Sequence, residues 1–208
     1  MIKIEKARLE DLAAILRLQY AAYQSEAALN NDFTIQPLQQ TLEKLTGEFH
    51  DGVILKAVEG GEIIGSVRAR AEGDTVYIGK LMVRPDRQGK GLGKRLLAAM
   101  EENLHRERFE LFTSSKSERN LRLYEKAGYK RLREERSGAG LTLVYMEKSY
   151  DDGSNMAIGI SVGLAIGAVI GLLTDDIGLW LPIGLCIGVA IGAGLPQVRA
   201  KRRERAEK

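Results

Sequence analysis

The chain has 208 residues, 44% of them hydrophobic, and a formal net charge of +3, values typical of a folded domain with an additional segment. This composition excludes an intrinsically disordered chain. The single cysteine, Cys186, excludes an internal disulfide framework and a zinc site built from thiolates, and we expect no bound metal.

Charge is distributed unevenly along the chain. Between Asp151 and Pro196 the only charged residues are aspartates, whereas residues 197–208 contain six basic and two acidic side chains. The first 150 residues are only mildly basic, and they begin without the long apolar core of a cleavable signal peptide. The pattern predicts a mixed N-terminal domain, an apolar segment and a basic tail.

Helix and strand periodicities alternate through the first 150 residues. Gly60-Gly61 favours a tight hairpin between two strands, because glycine adopts positive φ angles. The predicted order is a strand, two helices, a β-meander, and then helix, strand, helix, strand, which indicates a mixed α/β sheet with helices on its faces. In chain order the strands are at 2–6, 53–58, 63–69, 75–83, 110–114 and 141–146, and the helices are at 9–23, 37–47, 92–104 and 118–127.

A glycine-rich loop connects a strand directly to a helix. The strand ends near Val83, and Gly89, Gly91 and Gly93 precede or begin the helix. Unpaired backbone N–H groups at a helix N-terminus attract phosphate, and glycines let the phosphate approach without meeting a Cβ. The loop is neither a Walker loop nor a dinucleotide fingerprint, since Gly-Lys-Ser/Thr is absent and the strand belongs to a meander. Positive charge near the loop comes from Arg87, Lys90 and Lys94.

Two motifs together resemble those of GNAT acetyltransferases. Gln88-x-x-Gly91-x-Gly93 is similar to the family's acetyl-CoA signature, and the segment from Asn120 to Tyr129 resembles its second signature, N-x-x-x-Y-x-K-x-G-F/Y. The resemblance covers Met1 to about Lys148. It implies a GNAT-type central sheet flanked by helices, acetyl-CoA as co-substrate, and transfer of an acetyl group to a primary amine.

The resemblance also implies a role for each matching position. Backbone of Leu81, Met82 and Val83 would pair with the pantetheine arm of acetyl-CoA. Asn120 would hydrogen-bond this arm, and Tyr124 would protonate the departing thiolate, a role that suits a phenol. Backbone N–H groups would hold the pyrophosphate at Gln88, Gly89, Lys90, Gly91, Leu92, Gly93 and Lys94.

The general base is left open by the sequence. Many family members carry a glutamate on the fourth strand, but here this strand reads Tyr77-Ile-Gly-Lys80. Glu26, near the end of the first helix, is one alternative, and Tyr77 acting through water is the other. The N–H of Met82 could stabilise the carbonyl oxygen as charge develops on it.

Two apolar runs follow the domain. Met156 to Leu173 has no charged residue, Asp175 and Asp176 interrupt the pattern, and a second run extends from Ile177 to Leu195. Each run is near the ~20 residues that cross a bilayer. Glycine recurs every fourth residue, which would allow two helices to approach closely, and the segment resembles glycine-zipper membrane hairpins. The repeated positions are Gly159, Gly163, Gly167 and Gly171, and then Gly184, Gly188 and Gly192.

We therefore expect an acetyltransferase domain at 1–148, a linker at 149–155, a two-helix transmembrane hairpin at 156–196 and a basic tail at 197–208. The positive-inside rule would keep the tail, and hence the domain, on the cytoplasmic side. The expected partners are a small-molecule amine and the lipid bilayer, with homo-oligomers also compatible with the glycine faces. Nucleic acid is not expected, because the tail lacks interleaved aromatic residues.

Three alternatives stay open at this stage. The domain could be a catalytically silent acyl-CoA-binding module attached to an oligomerising hairpin, which the missing carboxylate on the fourth strand favours. It could be a scaffold that the basic tail holds on anionic lipid. The hairpin could also pack inside a soluble protein, although soluble helices seldom lack a polar face.

Overall fold

The computed structural model describes residues 1–137, 141–150 and 154–190. The chain divides into two compact units, Met1–Lys148 and a second that begins at Ser149. The strands are β1 (Lys3–Lys6), β2 (Val53–Glu59), β3 (Glu62–Glu72), β4 (Thr75–Val83), β5 (Arg108–Ser114), β6 (Lys130–Arg136) and β7 (Thr142–Ser149). The helices are α1 (Leu12–Asn30), α2 (Gln36–Gln39), α3 (Leu42–Asp51), α4 (Leu92–Leu104), α5 (Glu118–Lys126), α6 (Ser154–Thr174) and α7 (Ile177–Ala190).

The first unit contains one mixed sheet of seven strands in the order β1-β2-β3-β4-β5-β7-β6. Strands β2 to β4 form the predicted antiparallel meander, β1 pairs antiparallel with β2, and β5 lies parallel to β4. Helix α4 makes the crossover between these two parallel strands, as a parallel connection requires. The predicted mixed α/β architecture is confirmed.

Helices pack on both faces of this sheet. Neighbouring residues of one strand belong to different buried clusters, as Leu55 and Ile54 do, because successive side chains point to opposite faces. The larger cluster includes apolar residues of α4 and α5, and the smaller one includes those of α1 and α3. The candidate base Glu26 belongs to α1.

The prediction of one helix from Pro37 to Gly47 is wrong. The chain forms the short α2, passes through Gln40 in an extended conformation, and starts α3 after Thr41, whose hydroxyl oxygen accepts a hydrogen bond from the Lys44 N–H. Gln40 is almost fully buried and its carbonyl accepts a hydrogen bond from the Tyr20 hydroxyl at 2.5 Å. This tertiary contact would be lost in a continuous helix.

Strand β6 was not predicted from the sequence. All of its residues are exposed, and it reads Lys-Arg-Leu-Arg-Glu-Glu-Arg, without the apolar alternation of a half-buried strand. It lies at the edge of the sheet, where it pairs antiparallel with β7. Charged side chains are a usual feature of edge strands, because they discourage pairing with other chains.

The second unit contains the two predicted apolar helices. In α6, Ala157–Thr174 has a mean hydropathy of 2.2 and is long enough to cross a membrane, and α7 is a shorter apolar helix within the described residues. A Cβ added at Gly163 would lie 2.2 Å from the Gly184 carbonyl oxygen, so the glycine faces of the two helices pack against each other. The end of the second apolar run and the basic tail, residues 191–208, lie outside the described residues.

The turn between these helices contains the two aspartates. Asp175 adopts a positive φ of 60°, and the Asp176 carboxylate accepts a hydrogen bond at 3.1 Å from the Leu179 N–H, which caps the first turn of α7. Large apolar side chains cover the outer surface of both helices and are exposed, including Ile166 and Leu181. An exposed apolar surface of this kind matches a lipid environment.

Candidate active site

The glycine-rich loop enters α4 through two glycines with positive φ angles. Gly89 and Gly91 are exposed, each has a φ of 77°, and a Cβ added at either position would meet open space. The glycines are therefore required for their backbone angles rather than for room within the protein. Gly91 is the N-cap of α4, and no side chain caps this helix, whose first N–H groups have no partner within the helix.

Gln88 supports the loop through its side chain. Its amide nitrogen donates to the Val83 carbonyl at 2.8 Å, and its amide oxygen accepts from Arg119 of α5 at 2.6 Å. The side chain thus connects the end of β4 to α5. Arg87, expected to add positive charge, instead forms ion pairs with Glu59 and Asp86, so most of the positive charge at the loop comes from the exposed Lys90 and Lys94.

Strands β4 and β5 pair at their first residues and then separate. Their parallel pairing covers only Thr75 to Tyr77 within these two fully described strands. On its other edge, β4 pairs with β3 as far as Val83. Because the Arg84 N–H donates to the Ile64 carbonyl, the alternation of antiparallel hydrogen bonds directs the Met82 backbone toward Ser66 of β3. The backbone groups of Leu81 and Val83 are directed to the other side, where no described strand pairs with them, and this edge can accept an extended ligand as an additional strand.

Helix α1 is connected to α5 by a carboxylate. The Glu26 Oε1 atom accepts hydrogen bonds from the Ser117 hydroxyl at 2.7 Å and from the Asn120 side-chain amide at 2.9 Å. A second contact joins Ser114 to Asn30 of α1. The structure thus brings together Glu26 and Asn120, two predicted site residues that are far apart in the sequence.

Two tyrosines lie close to this carboxylate. Tyr124 is 7% exposed, and its pKa is raised by burial, by Tyr23 and by the negative charge of Glu26. Burial likewise raises the pKa of Tyr23, with opposing effects from Arg68 and Glu26. Tyr124 therefore keeps its proton at neutral pH. Tyr23 was predicted only as the last residue of the first helix, and the sequence gave no signal that it belongs to the site.

Tyr77 occupies a different position. Its side chain is 43% exposed and lines a cavity of about 340 Å³ between α3 and strands β3 and β4. Glu26 is not among the residues that line this cavity. The two alternative bases therefore have different surroundings, and only Glu26 contacts Asn120. The cavity is lined by Glu48, Asp51, Arg68, Ala69, Arg70, Tyr77, Gly79 and Lys80.

A buried polar network forms one wall of this cavity. Arg68 of β3 donates to Glu48 at 2.6 Å and to Gln40 at 3.0 Å, and it also hydrogen-bonds Gln19 of α1. The amide of Gln19 in turn donates to the Pro37 carbonyl at 2.7 Å. None of these residues was a predicted site residue, because the sequence marks them only as polar.

Comparisons with known proteins identify the family of this domain. The sequence model described as acetyltransferase (GNAT) domain matches residues 20–150, which is more than half of the chain. The chain belongs to the GNAT acetyltransferase family. It is therefore an acyltransferase, as predicted. A second model, described as glycine zipper membrane protein, matches residues 149–198 of the acetyltransferase and supports association of this segment with a membrane.

Solved structures share the acetyltransferase fold. PaiA N-acetyltransferase from Thermoplasma acidophilum, in complex with coenzyme A, is 21% identical, with a TM-score of 0.61 over 72% of this chain and 99% of that one. The ribosomal-protein-S18-alanine N-acetyltransferase from Escherichia coli is 17% identical, with a TM-score of 0.60 over 72% and 94%. YncA from Salmonella typhimurium, with acetyl-CoA, is 21% identical, with a TM-score of 0.57 over 73% and 95%. A comparison with curated protein sequences finds no match.

Proposed function

We propose that the protein transfers an acetyl group from acetyl-CoA to the primary amine of a small molecule by direct attack in a ternary complex. Family membership supports the acyl transfer, and two of the similar solved structures are complexes with coenzyme A and with acetyl-CoA. The observation that carries the proposal is the contact of Glu26 with Asn120 beside Tyr124, since it gathers a carboxylate, an amide and a protonated phenol.

Acetyl-CoA would bind across β4 and the start of α4. Of the segment Leu81 to Val83, the backbone groups of Leu81 and Val83 would hydrogen-bond the pantetheine arm, with Asn120 on the other side of this arm. The N–H groups from Gln88 to Lys94 would hold the pyrophosphate, because the positive end of the α4 dipole attracts anions. The Met82 N–H expected to stabilise the oxyanion is directed to Ser66 of β3. The thioester carbonyl would instead lie near the Leu81 N–H, which would stabilise the developing oxyanion.

Glu26 would accept a proton from the amine. An ammonium group cannot attack a thioester, so the acceptor must first lose a proton to a nearby base. The Oε1 atom of Glu26 is held by Ser117 and Asn120, and among the described residues its Oε2 atom has no hydrogen-bond partner. This oxygen is available to the acceptor, directly or through a water molecule.

Tyr124 would assist departure of the coenzyme A thiolate. Attack by the amine breaks the C–S bond and leaves negative charge on sulfur, which a phenol can stabilise by donating its hydrogen bond and then its proton. The raised pKa keeps Tyr124 protonated before the reaction. It also makes the proton harder to release, so we expect transfer only as charge develops on the sulfur.

The hairpin would anchor this activity to a bilayer. The apolar outer surfaces of α6 and α7 and the match to glycine-zipper membrane proteins support insertion. The basic side chains of residues 197–208 would stay on the cytoplasmic side under the positive-inside rule, and two crossings would leave the catalytic domain on the same side.

Steady-state kinetics of the full-length protein in detergent would test the catalytic assignments. With a panel of primary amines, we expect Tyr124→Phe and Glu26→Gln each to lower kcat by ~10²-fold with little change in acetyl-CoA affinity. Glutamine at position 26 can still accept both hydrogen bonds, so the α1–α5 contact is kept. Tyr77→Phe tests the alternative base.

The matched control is Glu118→Gln, which removes an exposed carboxylate of α5 and should leave kcat unchanged. Unchanged kcat in Glu26→Gln together with a large loss in Tyr77→Phe would assign the base to Tyr77. Tight acetyl-CoA binding without thiol release with any amine would instead indicate a silent acyl-CoA-binding module.

A further inference from the structure

The cavity beside β4 has two features that call for a negatively charged ligand. It is lined by Arg68 and Lys80, and it lies directly before the backbone of Leu81 to Val83 that is proposed to bind the pantetheine arm. We propose that this cavity, of about 340 Å³, binds a carboxylate of the acceptor, so that the substrate is an amino acid rather than a simple amine. This inference rests on the proposed function and names its substrate class.

The first feature is a buried donor without a partner. The Arg68 side chain is 6% exposed, and its two terminal nitrogens are occupied by Gln19, Gln40 and Glu48. Its Nε atom is buried and has no hydrogen-bond partner in the described part of the chain. A buried N–H of a charged group without an acceptor is costly, and a ligand oxygen would remove this cost.

The second feature is a half-buried amine that lacks a carboxylate partner. Lys80 has a positive φ of 50°, at the β-bulge where β3 and β4 shift register, and its amine donates to the neutral side-chain amide of Gln36. Burial lowers the pKa of Lys80 to about 8, with a further decrease from Arg68 and an opposing effect from Glu48. A ligand carboxylate would compensate for the lost hydration of this ammonium group.

The acidic residues at the cavity leave these two donors available. Glu48 uses one oxygen to accept from Arg68 and the other to accept from Gln40, so both are engaged. Asp51 is exposed at the last position of α3. The remaining cation, Arg70, is paired with Glu72. A carboxylate that approaches Arg68 and Lys80 would therefore displace no existing ion pair.

Matched acceptors provide the test. The full-length protein in detergent would be assayed with ω-amino acids of increasing length and with alkylamines of equal length, for example 4-aminobutanoate against butylamine. We expect kcat/KM to be higher for the amino acids. Lys80→Met should raise KM by ~10–100-fold for the amino acids only, the effect of losing one charge-assisted hydrogen bond.

Lys44→Met is the matched control, because Lys44 is exposed on α3 and does not line the cavity. Lys44→Met should change neither the KM for the amino acids nor the KM for the alkylamines. Equal KM values for the two substrate classes, or an equal effect of Lys80→Met on both, would overturn the proposal. A preference for diamines over both classes would also overturn it, since the acidic side chains would then select the ligand.

Binding of butanoate separates this inference from the catalytic proposal. Because butanoate has no amine, its affinity measured by calorimetry does not depend on turnover. We expect binding that weakens as the pH rises through about 8, where Lys80 loses its charge, and that stays constant in Lys80→Arg. The other ionisable groups around Lys80 are Arg68, Arg70, Glu48, Asp51 and Tyr77.

Butanoate binding without acetylation of any amine would leave the cavity assignment standing and would overturn the proposed function. The converse result, acetyl transfer to amines with no detectable butanoate binding, would overturn the carboxylate assignment alone. Butanoate binding of equal strength in Lys80→Met would also overturn it, because the ligand would then not contact this amine.

Discussion

Replacing Gly163 and Gly167 together by leucine should separate the two helices of the hairpin without removing them from the membrane. A Cβ at Gly163 would lie 2.2 Å from the Gly184 carbonyl oxygen, and one at Gly167 would lie 2.5 Å from the Trp180 carbonyl oxygen. Ordinary contacts begin near 3.4 Å. The Cβ atoms alone would therefore move the helices apart by about 1 Å, and the isobutyl groups would extend this toward the ~8–10 Å axis separation of ordinary helix pairs.

Pulsed electron resonance between two spin labels would measure the separation. The labels would be attached at Val162→Cys and Ile187→Cys, which are exposed positions on α6 and α7, in a Cys186→Ala background. We expect the mean distance between the labels to increase by at least ~2 Å. The protein with Gly163 and Gly167 and the protein with both replaced by leucine should each resist extraction by carbonate, because leucine is more lipophilic than glycine.

The control is the double substitution Gly178→Leu with Ala165→Leu. A Cβ at Gly178 meets its nearest atom at 3.7 Å, and Ala165 is exposed, so these leucines have room. The distance between the labels should then stay unchanged. An unchanged distance in the Gly163 and Gly167 variant would show that these glycines do not form the close contact.

Three further predictions concern the cofactor loop, the core and the membrane. Gly91→Glu should abolish acetyl-CoA binding measured by calorimetry, because a carboxylate would face the pyrophosphate. The control Gly73→Glu, also at a positive-φ glycine with open space, should bind acetyl-CoA normally. Equal affinities of the two variants would refute the pyrophosphate assignment. Lys56→Met should lower the free energy of unfolding in urea by ~2 kcal/mol at pH 7, because it removes the ammonium group that pairs at 2.7 Å with the largely buried Asp11 carboxylate. Burial raises the pKa of Asp11, but hydrogen bonds from Lys56 and the Arg8 backbone lower it overall, so this stabilisation is present above pH ~4 and the two proteins should converge as the pH falls below it. Finally, residues 1–148 alone should be soluble and the full-length protein should stay with membranes after carbonate extraction; a soluble full-length protein would exclude insertion.

The elements predicted correctly have causes that are local in sequence. The hairpin at Gly60-Gly61 and the loop at Gly89 and Gly91 follow from positive φ angles, which glycine adopts without steric cost. The helix over α4 follows from its apolar stripe, and the hydrophobic runs of α6 and α7 follow from composition alone. Such signals can be read without knowing which other segments lie nearby.

The errors arise where distant contacts override local pattern. Gln40 breaks a helix-forming segment because its burial against Gln19 and Arg68 is more favourable than a continuous helix. Strand β6 forms through pairing with β7, although its fully exposed residues have no apolar periodicity. In both cases the deciding partner is far away in the sequence.

In the candidate site, too, local motifs could be predicted from the sequence and distant contacts could not. The sequence by itself determined the family, through Gln88-x-x-Gly91-x-Gly93 and Asn120 to Tyr129, since these residues act through local backbone geometry and defined side-chain roles. Only the tertiary structure decided that Glu26 contacts Asn120 and that Arg68 is buried with an unpartnered Nε. The physical reason is that burial and electrostatic environment depend on how α1 and α3 pack on the sheet, and polar residue types alone do not specify this packing.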